Sequence, residues 1–492
     1  MNSFKEKIDT SHKTILKTLT LFGSTHIFNM LINVFTVKFT AIFLGASGLG
    51  VLGLVKNTLE IIKSVSSFGL NLVAVREISS IDSNDNNGQI ETLYIIRKIA
   101  FYTGLFGAIL SIIFSTILSK WTFGSSDNFY WFVGLSGYYI IVNMTTYRES
   151  ILQGFRLLRK IIVVNLISSG CIALITVVLY FLLGIQGIVP VIVTGSLIKW
   201  MICWYYTRTF TAGSFKMDKK VLWIKMKPLL SLGLLLSLNV ILGKFCSYLI
   251  KVYLNTTEDS AVLGYYEAGI IILISYLGII FSTMSIDFYP RLTAIQGDHS
   301  ALKEFVNNQI EMAVLIVTPA ILLFYWLDEW FIQILYTKDL LQVVEILKIG
   351  LLSVLIRAII WPLGFVLLAK GDRKYYFFSE VLGDFLNVVV TIVFYELYGL
   401  LGIGAALVLN YTIYGVVVYF YIHKQYKFTM MSSAKTVIIS FILGGLGCFL
   451  KLDNSLLYSH WVALLIFAIS IFYSGYLLNK RINFFDFIRS KL

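Results

Sequence analysis

Charged residues are scarce in this sequence. Asp, Glu, Lys and Arg make up 14% of its 492 residues, hydrophobic residues make up 58%, and the mean hydropathy is +0.81. Soluble globular chains carry about 25% charged residues, so this composition excludes a soluble globular protein. It predicts a polytopic membrane protein.

Proline is also rare, with only five residues in the chain. Apolar runs of about 20 residues, each long enough to cross a bilayer as a helix, recur along the whole sequence. The alternating segments of about ten residues that are typical of a transmembrane barrel do not occur. The predicted fold class is therefore all-α, with about 14 transmembrane helices.

Motifs for metal, nucleotide or catalytic chemistry are missing as well. The four cysteines lie in apolar segments without metal-ligand spacing, no two of the five histidines have HExxH spacing, and no GxxxxGK[ST] run occurs. We therefore expect no cofactor, no metal and no enzymatic activity. The predicted outer loops are also too short for the external domain expected of a membrane glycosyl polymerase or ligase.

The distribution of cations predicts the topology. Residues 1–17 are polar and basic and lack a cleavage site, so the N-terminus is expected in the cytoplasm. The predicted outer loops contain only the cations Lys120, Lys251, Lys338 and Lys451. This asymmetry follows the positive-inside rule and predicts that both termini lie in the cytoplasm. The formal charge of +13 is then mostly a topology signal, and nucleic-acid binding is not needed to explain it.

A weak internal repeat suggests two lobes. Leu49-Gly50 opens the second span and Arg76 follows its inner end, while Leu263-Gly264 and Arg291 repeat this arrangement at nearly the same interval. Parallel repeats of this kind build transporters from two related halves. We predict an N-terminal lobe at residues 1–210 (spans 1–6), a C-terminal lobe at 211–428 (spans 7–12), and two additional spans with a cytoplasmic tail at 429–492.

The second predicted span, residues 49–72, contains three charged residues that a bilayer should reject. Lys56, Glu60 and Lys63 each cost about 2.5 to 3.5 kcal/mol at the centre of a span, far more than one apolar residue returns. At helical periodicity the three side chains lie on one face, where Glu60 can reach both lysines. This face is expected to line a wet, net positive surface inside the membrane.

Other predicted spans carry polar residues at similar depth. His26, Asn29 and Asn33 share an arc of span 1, predicted at 20–43. Lys244 on span 7, predicted at 229–250, could either line a cavity or form an internal ion pair. Arg357 precedes Pro362 by five residues in span 10, predicted at 344–368, where a proline frees a carbonyl group. Span 11, predicted at 377–397, presents a further polar stripe, which consists of Glu380, Asp384, Asn387 and Thr391.

Four further charged residues have structural explanations. Glu267 is expected to pair with a lysine of span 7, and Glu345 with Lys348 at the outer end of a span. Lys199 lies beside Trp200 and Trp204 and is assigned to the interfacial belt.

Four patches of the sequence carry a resemblance to a known family. They are FLGASGLGVLGLVKN followed by GLNLVAVREIS, DFYPRLTAIQGD followed by FVNNQIEMAVL, WPLGFVLLAKGDRKYYFFSE, and the weaker ILQGFRLLRK. With these the chain resembles the O-antigen and polysaccharide flippases of the multidrug/oligosaccharidyl-lipid/polysaccharide (MOP) exporter superfamily. The resemblance implies movement of undecaprenyl-diphosphate-linked oligosaccharide to the outer leaflet by alternating access through a cationic central cavity.

The resemblance also suggests roles for the polar residues within the membrane. Arg357 is similar in position to a basic residue of the family, whereas the match is looser for Lys56, Lys63 and Lys244. We expect these cations, with Glu60, His26, Asn29 and Asn33, to bind the substrate, and Asn387 to meet sugar hydroxyls. Glu60, Glu380 and Asp384 are candidates for coupling transport to a proton or sodium ion.

Two other functions are alternatives to a flippase. A drug or organic-cation antiporter of the same fold would have a net acidic cavity, and Glu60, Glu380 and Asp384 keep this alternative open. A membrane glycosyl polymerase or ligase is disfavoured by the short outer loops. The expected partners of a flippase are a lipid-linked oligosaccharide, membrane lipid and the polysaccharide polymerase machinery.

Overall fold

The computed structural model consists of helices and connecting turns throughout the residues it describes. These are residues 2–79, 81, 86–155, 157–210, 215, 217–257, 260–295, 297–430, 434–452 and 459–482. The α-helices of this part of the chain are α1 (Asn2–Ser67), α2 (Leu70–Ser79), α3 (Asn86–Ile113), α4 (Ser115–Phe123), α5 (Phe129–Gly134), α6 (Ser136–Gly154), α7 (Leu158–Leu183), α8 (Ile188–Thr207), α9 (Lys219–Thr257), α10 (Ser260–Ile270), α11 (Ile279–Ala294), α12 (His299–Leu335), α13 (Val343–Ala369), α14 (Arg373–Tyr426), α15 (Ala434–Leu452) and α16 (Ser459–Ile482). Short turns of 3-10 helix occupy Gly184–Gly187 and Lys338–Leu340, and a turn of π-helix occupies Ile271–Tyr276.

Ten helices in the described residues are long and apolar enough to cross a membrane. Four of them contain a break, at Gly45 in α1, at Gly184–Gly187 between α7 and α8, at Leu327 in α12 and at Gly399 in α14. Gly45 and Gly399 have φ angles of 65° and 59°, which an L side chain rarely adopts. The prediction of an all-α, polytopic membrane protein is confirmed.

The second predicted span ends earlier than expected. Residues 49–72 were predicted as one helix, but α1 ends at Ser67 and α2 begins at Leu70. Between them Phe68 and Gly69 have φ angles of 47° and 61°, so both residues adopt a left-handed backbone conformation. A glycine adopts this conformation without strain, whereas Phe68 adopts it at a cost of about 1–2 kcal/mol.

The chain divides into two compact units, Met1–Tyr248 and Leu249–Leu492. The division falls within α9, which therefore contributes residues to both units. The lobes predicted at 1–210 and 211–428 stay a prediction.

The described residues of the first unit contain three apolar cores, of which two are large. One core, around Leu59, Phe132 and Tyr139, joins α1 to α5 and α6, and these three side chains are at most 2% exposed. The other large core contains Ile99 of α3 and Met226 of α9 among its buried residues. Because α1 packs through its apolar side, its charged side is directed away from this core.

In the second unit α13 packs against α12, α14 and α15. Gly404 of α14 lies so close to α13 that an added Cβ would be 2.3 Å from the carbonyl oxygen of Ile346. Asp328 of α12 is 3% exposed and lies 2.7 Å from the ammonium group of Lys451 on α15. An ion pair therefore links α12 to α15 within the second unit.

Candidate functional site

The inner part of α1 has one charged and one apolar face. Lys56 and Glu60 are exposed and Lys63 is half-buried, whereas Val55 and Leu59 on the other side are buried. This is the amphipathic pattern of a helix that packs on one side and faces an open space on the other. The structure thus places the predicted charged stripe on an accessible face of the first unit.

Glu60 reaches across to a lysine of another helix. Its carboxylate forms an ion pair with the ammonium group of Lys244 on α9. The Nδ2 of Asn57 on α1 also donates to Ser247 Oγ on α9, at 3.2 Å. α1 and α9 are therefore joined by polar contacts at membrane depth, and the ion-pair alternative for Lys244 is observed.

Lys63 lies among further charges that the sequence did not group with it. Electrostatic interactions connect it to Glu60 and Lys244 and also to Glu149 of α6 and Lys199 of α8. Lys199 and Glu149 form an ion pair of 2.7 Å, with side chains that are 36% and 27% exposed. We call Glu60, Lys63, Glu149, Lys199 and Lys244 the lysine cluster. With three cations and two carboxylates it has a formal charge of +1 at neutral pH.

Two members of this cluster were not predicted as site residues. Glu149 was not singled out, although the polar stretch TTYRES around it, residues 145–150, was a visible signal. Lys199 was assigned to the interfacial belt, which stays a prediction, and the structure adds its ion pair with Glu149. Both positions depend on how α6 and α8 pack, which periodicity within one helix cannot reveal.

The polar arc predicted on span 1 has a different environment. Asn29 is half-buried, and its Oδ1 accepts a hydrogen bond of 2.9 Å from Ser169 Oγ on α7. Asn33 is exposed. The side chain of His26 lies outside the described residues. The predicted contact of these groups with substrate stays a prediction.

Arg357 lies in the second unit, opposite the π-helical turn Ile271–Tyr276. Its Nη1 donates to the carbonyl oxygen of Ile274 at 3.4 Å, and its guanidinium carbon lies 5.3 Å from the centre of the Phe281 ring. A π-turn disturbs the regular helical hydrogen bonding, so a carbonyl group becomes available to a side chain. Arg357 is half-buried at this position.

The acidic residues of α14 also lie in the second unit. The Tyr414 hydroxyl donates to Glu380 Oε1 at 2.6 Å, and Asp384, one turn further on, interacts electrostatically with Glu380 and with Tyr376. Both carboxylates are half-buried. Thr391 Oγ1 donates to Asn387 Oδ1 at 3.4 Å, which continues the predicted polar stripe along the helix.

Two other predicted pairs are confirmed and are structural. Lys251 of α9 and Glu267 of α10 lie 2.6 Å apart, and each side chain is 12% exposed. Glu345 and Lys348 of α13 lie 2.7 Å apart. Among the described residues no group of three or more His, Cys, Asp or Glu side chains is arranged to hold a metal ion.

Comparison with known proteins identifies related sequences and folds. A family model described as a polysaccharide biosynthesis protein matches residues 39–345. An inward-facing multidrug resistance transporter of the MATE family, in the MOP superfamily, is similar with a TM-score of 0.70 and 14% identity, over 81% of this chain and 94% of its own. The lipid II flippase MurJ, in an inward closed conformation, is similar with a TM-score of 0.67 and 13% identity, over 94% of this chain and 99% of its own.

A MOP superfamily transporter from Pyrococcus furiosus is also similar, with a TM-score of 0.54 and 12% identity over 84% of this chain and 96% of its own. No curated protein matches the chain. At these identities the solved structures establish the fold alone. The expected all-α, polytopic fold, which the chain shares with these transporter structures, is therefore confirmed.

Proposed function

We propose a function for this chain from the premise that it belongs to the family of polysaccharide biosynthesis proteins. In this proposal it is a flippase that moves an undecaprenyl-diphosphate-linked oligosaccharide, such as an O-antigen repeat unit of lipopolysaccharide, from the cytoplasmic to the outer leaflet. The family and the fold support a lipid-linked flippase or transporter. The identity of the lipid and of the sugar is our proposal.

The lysine cluster is the observation that carries the proposal. A diphosphate bearing sugars cannot cross hydrocarbon unaided, so a flippase must offer it a hydrated path with cations. Lys63, Lys199 and Lys244 supply cations at membrane depth, and Glu60 and Glu149 keep their combined charge low. A low net charge favours release as well as binding, because a strongly cationic site would trap a dianion.

Lys56 and Arg357 extend this role. Lys56 lies one helical turn from Glu60 on the exposed face of α1, where a substrate phosphate can approach it. Arg357 presents a planar fork suited to bidentate phosphate binding. We propose that these groups bind the diphosphate during alternating access, while Asn29, Asn33 and Asn387 meet sugar hydroxyls and the lipid tail stays in the bilayer.

A drug or organic-cation antiporter remains the second candidate. Glu380 and Asp384, two half-buried carboxylates one turn apart, favour it because an organic cation requires a net acidic surface. The multidrug resistance transporter among the similar structures supports the same candidate. The sign of the potential at membrane depth distinguishes the two candidates, since a positive potential favours the flippase.

The carboxylates also provide a hypothesis for energy coupling. We propose that Glu60, Glu380 or Asp384 exchanges a proton or binds a sodium ion during the transport cycle. Transport that is unchanged when the ion gradient across a proteoliposome is collapsed would contradict coupling. Loss of the gradient dependence in Asp384→Asn, with Asp339→Asn as an exposed control, would assign it to the second unit.

Membership of this family also suggests the membrane, the orientation and a partner of the protein. We propose that the protein acts without a catalytic step, in the bacterial inner membrane, with both termini in the cytoplasm. The flipped lipid would then be taken over by a polysaccharide polymerase. Protease accessibility of tags at each terminus, in inverted and right-side-out vesicles, tests the orientation.

A transport assay with two substrates tests the proposed function. Purified protein in proteoliposomes is given either a fluorescent undecaprenyl-diphosphate oligosaccharide or a fluorescent organic cation. The flippase proposal predicts that the lipid becomes accessible to a membrane-impermeant reagent, while the cation is not taken up against an ion gradient. Cation uptake without lipid flipping would support the antiporter instead.

A further inference from the structure

An apolar groove of about 510 Å³, whose lining residues are distinct from those of the lysine cluster, lies on the first unit. Its walls are formed by α3, by the beginning of α9 and by the break that follows α1. The lining residues are Phe68, Tyr102, Thr103, Phe106, Lys219, Leu222, Trp223, Met226 and Leu230. Tyr102, Phe106 and Trp223 are 47%, 40% and 59% exposed, so the groove is open to the surroundings of the protein.

The groove lies at the boundary of the membrane-spanning segments. On α3 its residues Tyr102 and Phe106 fall within the candidate span Asn87–Ile113, whereas on α9 the groove extends from Lys219 to Leu230, which precede the candidate span Ser237–Thr256. This stretch of α9 is roughly 16 Å long at the helical rise of 1.5 Å per residue. The groove therefore joins a wall within the membrane span of α3 to the interfacial start of α9.

The start of α9, which forms one wall of the groove, is basic. Lys219 lines the groove and Lys220 is the exposed next residue, and Lys225 and Lys227 follow about two turns further along α9. The nearby acids are Asp218, which is exposed, and Glu91 of α3, which forms an ion pair with Lys225. Positive charge therefore prevails at this end. Trp223 is a side chain of the kind that settles at the boundary between headgroups and hydrocarbon.

We propose that this groove binds one acyl chain of an anionic phospholipid, whose phosphate is held by Lys219 and Lys220. The lipid belongs to the leaflet on the basic side of the protein, which is the predicted cytoplasmic side. The apolar walls match the chain and the basic end matches the phosphate. This inference does not depend on the transported substrate, because the groove and the lysine cluster share no residue.

The arrangement of Phe68 gives the bound lipid a structural role. Phe68 has a left-handed conformation, its ring lies 6.0 Å from that of Phe106, and its carbonyl oxygen lies against Gly233 of α9. A chain in the groove contacts this strained residue together with both neighbouring helices. The lipid therefore fills the space where α1 ends and α9 passes.

Photo-crosslinking tests this site. The full-length protein is placed in phosphatidylcholine vesicles with a trace of phosphatidylglycerol that carries a diazirine on one acyl chain, and adducts are mapped by peptide mass spectrometry. We expect adducts within residues 219–230 and 102–106. Lys219→Gln combined with Lys220→Gln should lower their yield about fivefold or more, while Lys338→Gln, an exposed lysine in the second unit, leaves it unchanged.

Three results would overturn the proposal. Equal labelling of these peptides by a diazirine phosphatidylcholine would show that the groove holds bulk lipid only. Unchanged labelling in the double variant, with an unchanged melting temperature, would remove the lysines from the site. Displacement of the probe by undecaprenyl phosphate at lower concentrations than by phosphatidylglycerol would assign the groove to the transported lipid instead.

Discussion

Glu60 of α1 and Lys244 of α9 form an ion pair although 184 residues separate them in the chain. The two side chains are 50% and 42% exposed, so water reaches the pair. An accessible ion pair at membrane depth indicates a hydrated surface rather than a sealed core. The pair therefore joins two helices and also leaves a charged surface open to an incoming ligand.

The exposure of this pair predicts a small effect on stability. Ion pairs that water reaches contribute about 0–1 kcal/mol to the free energy of unfolding. We expect Lys244→Gln and Glu60→Gln each to change that free energy by less than about 1 kcal/mol, as measured by denaturant unfolding in detergent micelles. A much larger loss in either variant would mean that the pair is a structural contact and not an open site.

α9 passes close to the break after α1, so adding one methyl group at Gly233 should lower the stability of the fold. A Cβ added at Gly233 would lie 1.8 Å from the carbonyl oxygen of Phe68, so one of the two backbones must move. We expect Gly233→Ala to lower the free energy of unfolding by about 1–3 kcal/mol, as for other overpacked sites. The melting temperature of the purified protein measures this change.

Gly170→Ala on α7 is the matched control, because an added Cβ there has no neighbour within 4 Å. A helical glycine replaced by alanine in open space should gain up to about 1 kcal/mol. If both variants melt at the wild-type temperature, the contact between Gly233 and Phe68 is not a constraint on the fold.

The buried pair Lys251–Glu267 should behave in the opposite way to the exposed pair. Each side chain is only 12% exposed, so removing one partner leaves a charge in a poorly solvated place. Lys251→Met or Glu267→Leu should each cost about 3–5 kcal/mol of the free energy of unfolding. The double variant should recover most of this loss, because it leaves no unpaired charge. A double variant that loses as much as the two single variants added together would rule out coupling between the two groups.

Arg357 should stabilise the fold through two contacts whose contributions to the free energy of unfolding can be measured separately. Arg357→Met removes both the hydrogen bond to Ile274 and the contact with the Phe281 ring, and we expect a loss of about 1–2 kcal/mol. Phe281→Leu removes only the ring and should cost less. A double-mutant cycle between the two positions measures the coupling, and a coupling energy of zero would contradict the cation–π contact.

Periodicity and charge were sufficient to predict much of this architecture. The apolar runs at residues 161–183 and 344–368 predict two membrane spans, and these lie within α7 and α13, which extend them by at most three residues at an end. An apolar run of membrane length has few alternatives to a helix, which explains the agreement. The shared face of Lys56, Glu60 and Lys63 followed from the helical repeat alone.

Features that depend on packing between helices could not be predicted from periodicity and charge. The pairing of Glu149 with Lys199 requires knowledge that α6 and α8 are neighbours. The bond from Ser169 to Asn29 depends on contact between α1 and α7. The π-turn opposite Arg357 and the break at Phe68 are local departures from a regular helix. The apolar pattern of the sequence shows no interruption at either position, so it predicts a regular helix there.

The most direct test of the lysine cluster is the rate of flipping of a diphosphate-linked oligosaccharide lipid in proteoliposomes. Lys63→Gln and Lys244→Gln are compared with wild type and with Lys338→Gln at equal protein density. A lost charge-assisted contact to phosphate is worth about 1.5–3 kcal/mol, so we predict a flipping rate about 10- to 100-fold lower in the two cluster variants only. Wild-type rates in both cluster variants, with active wild-type protein, would contradict the proposal that these lysines bind the diphosphate.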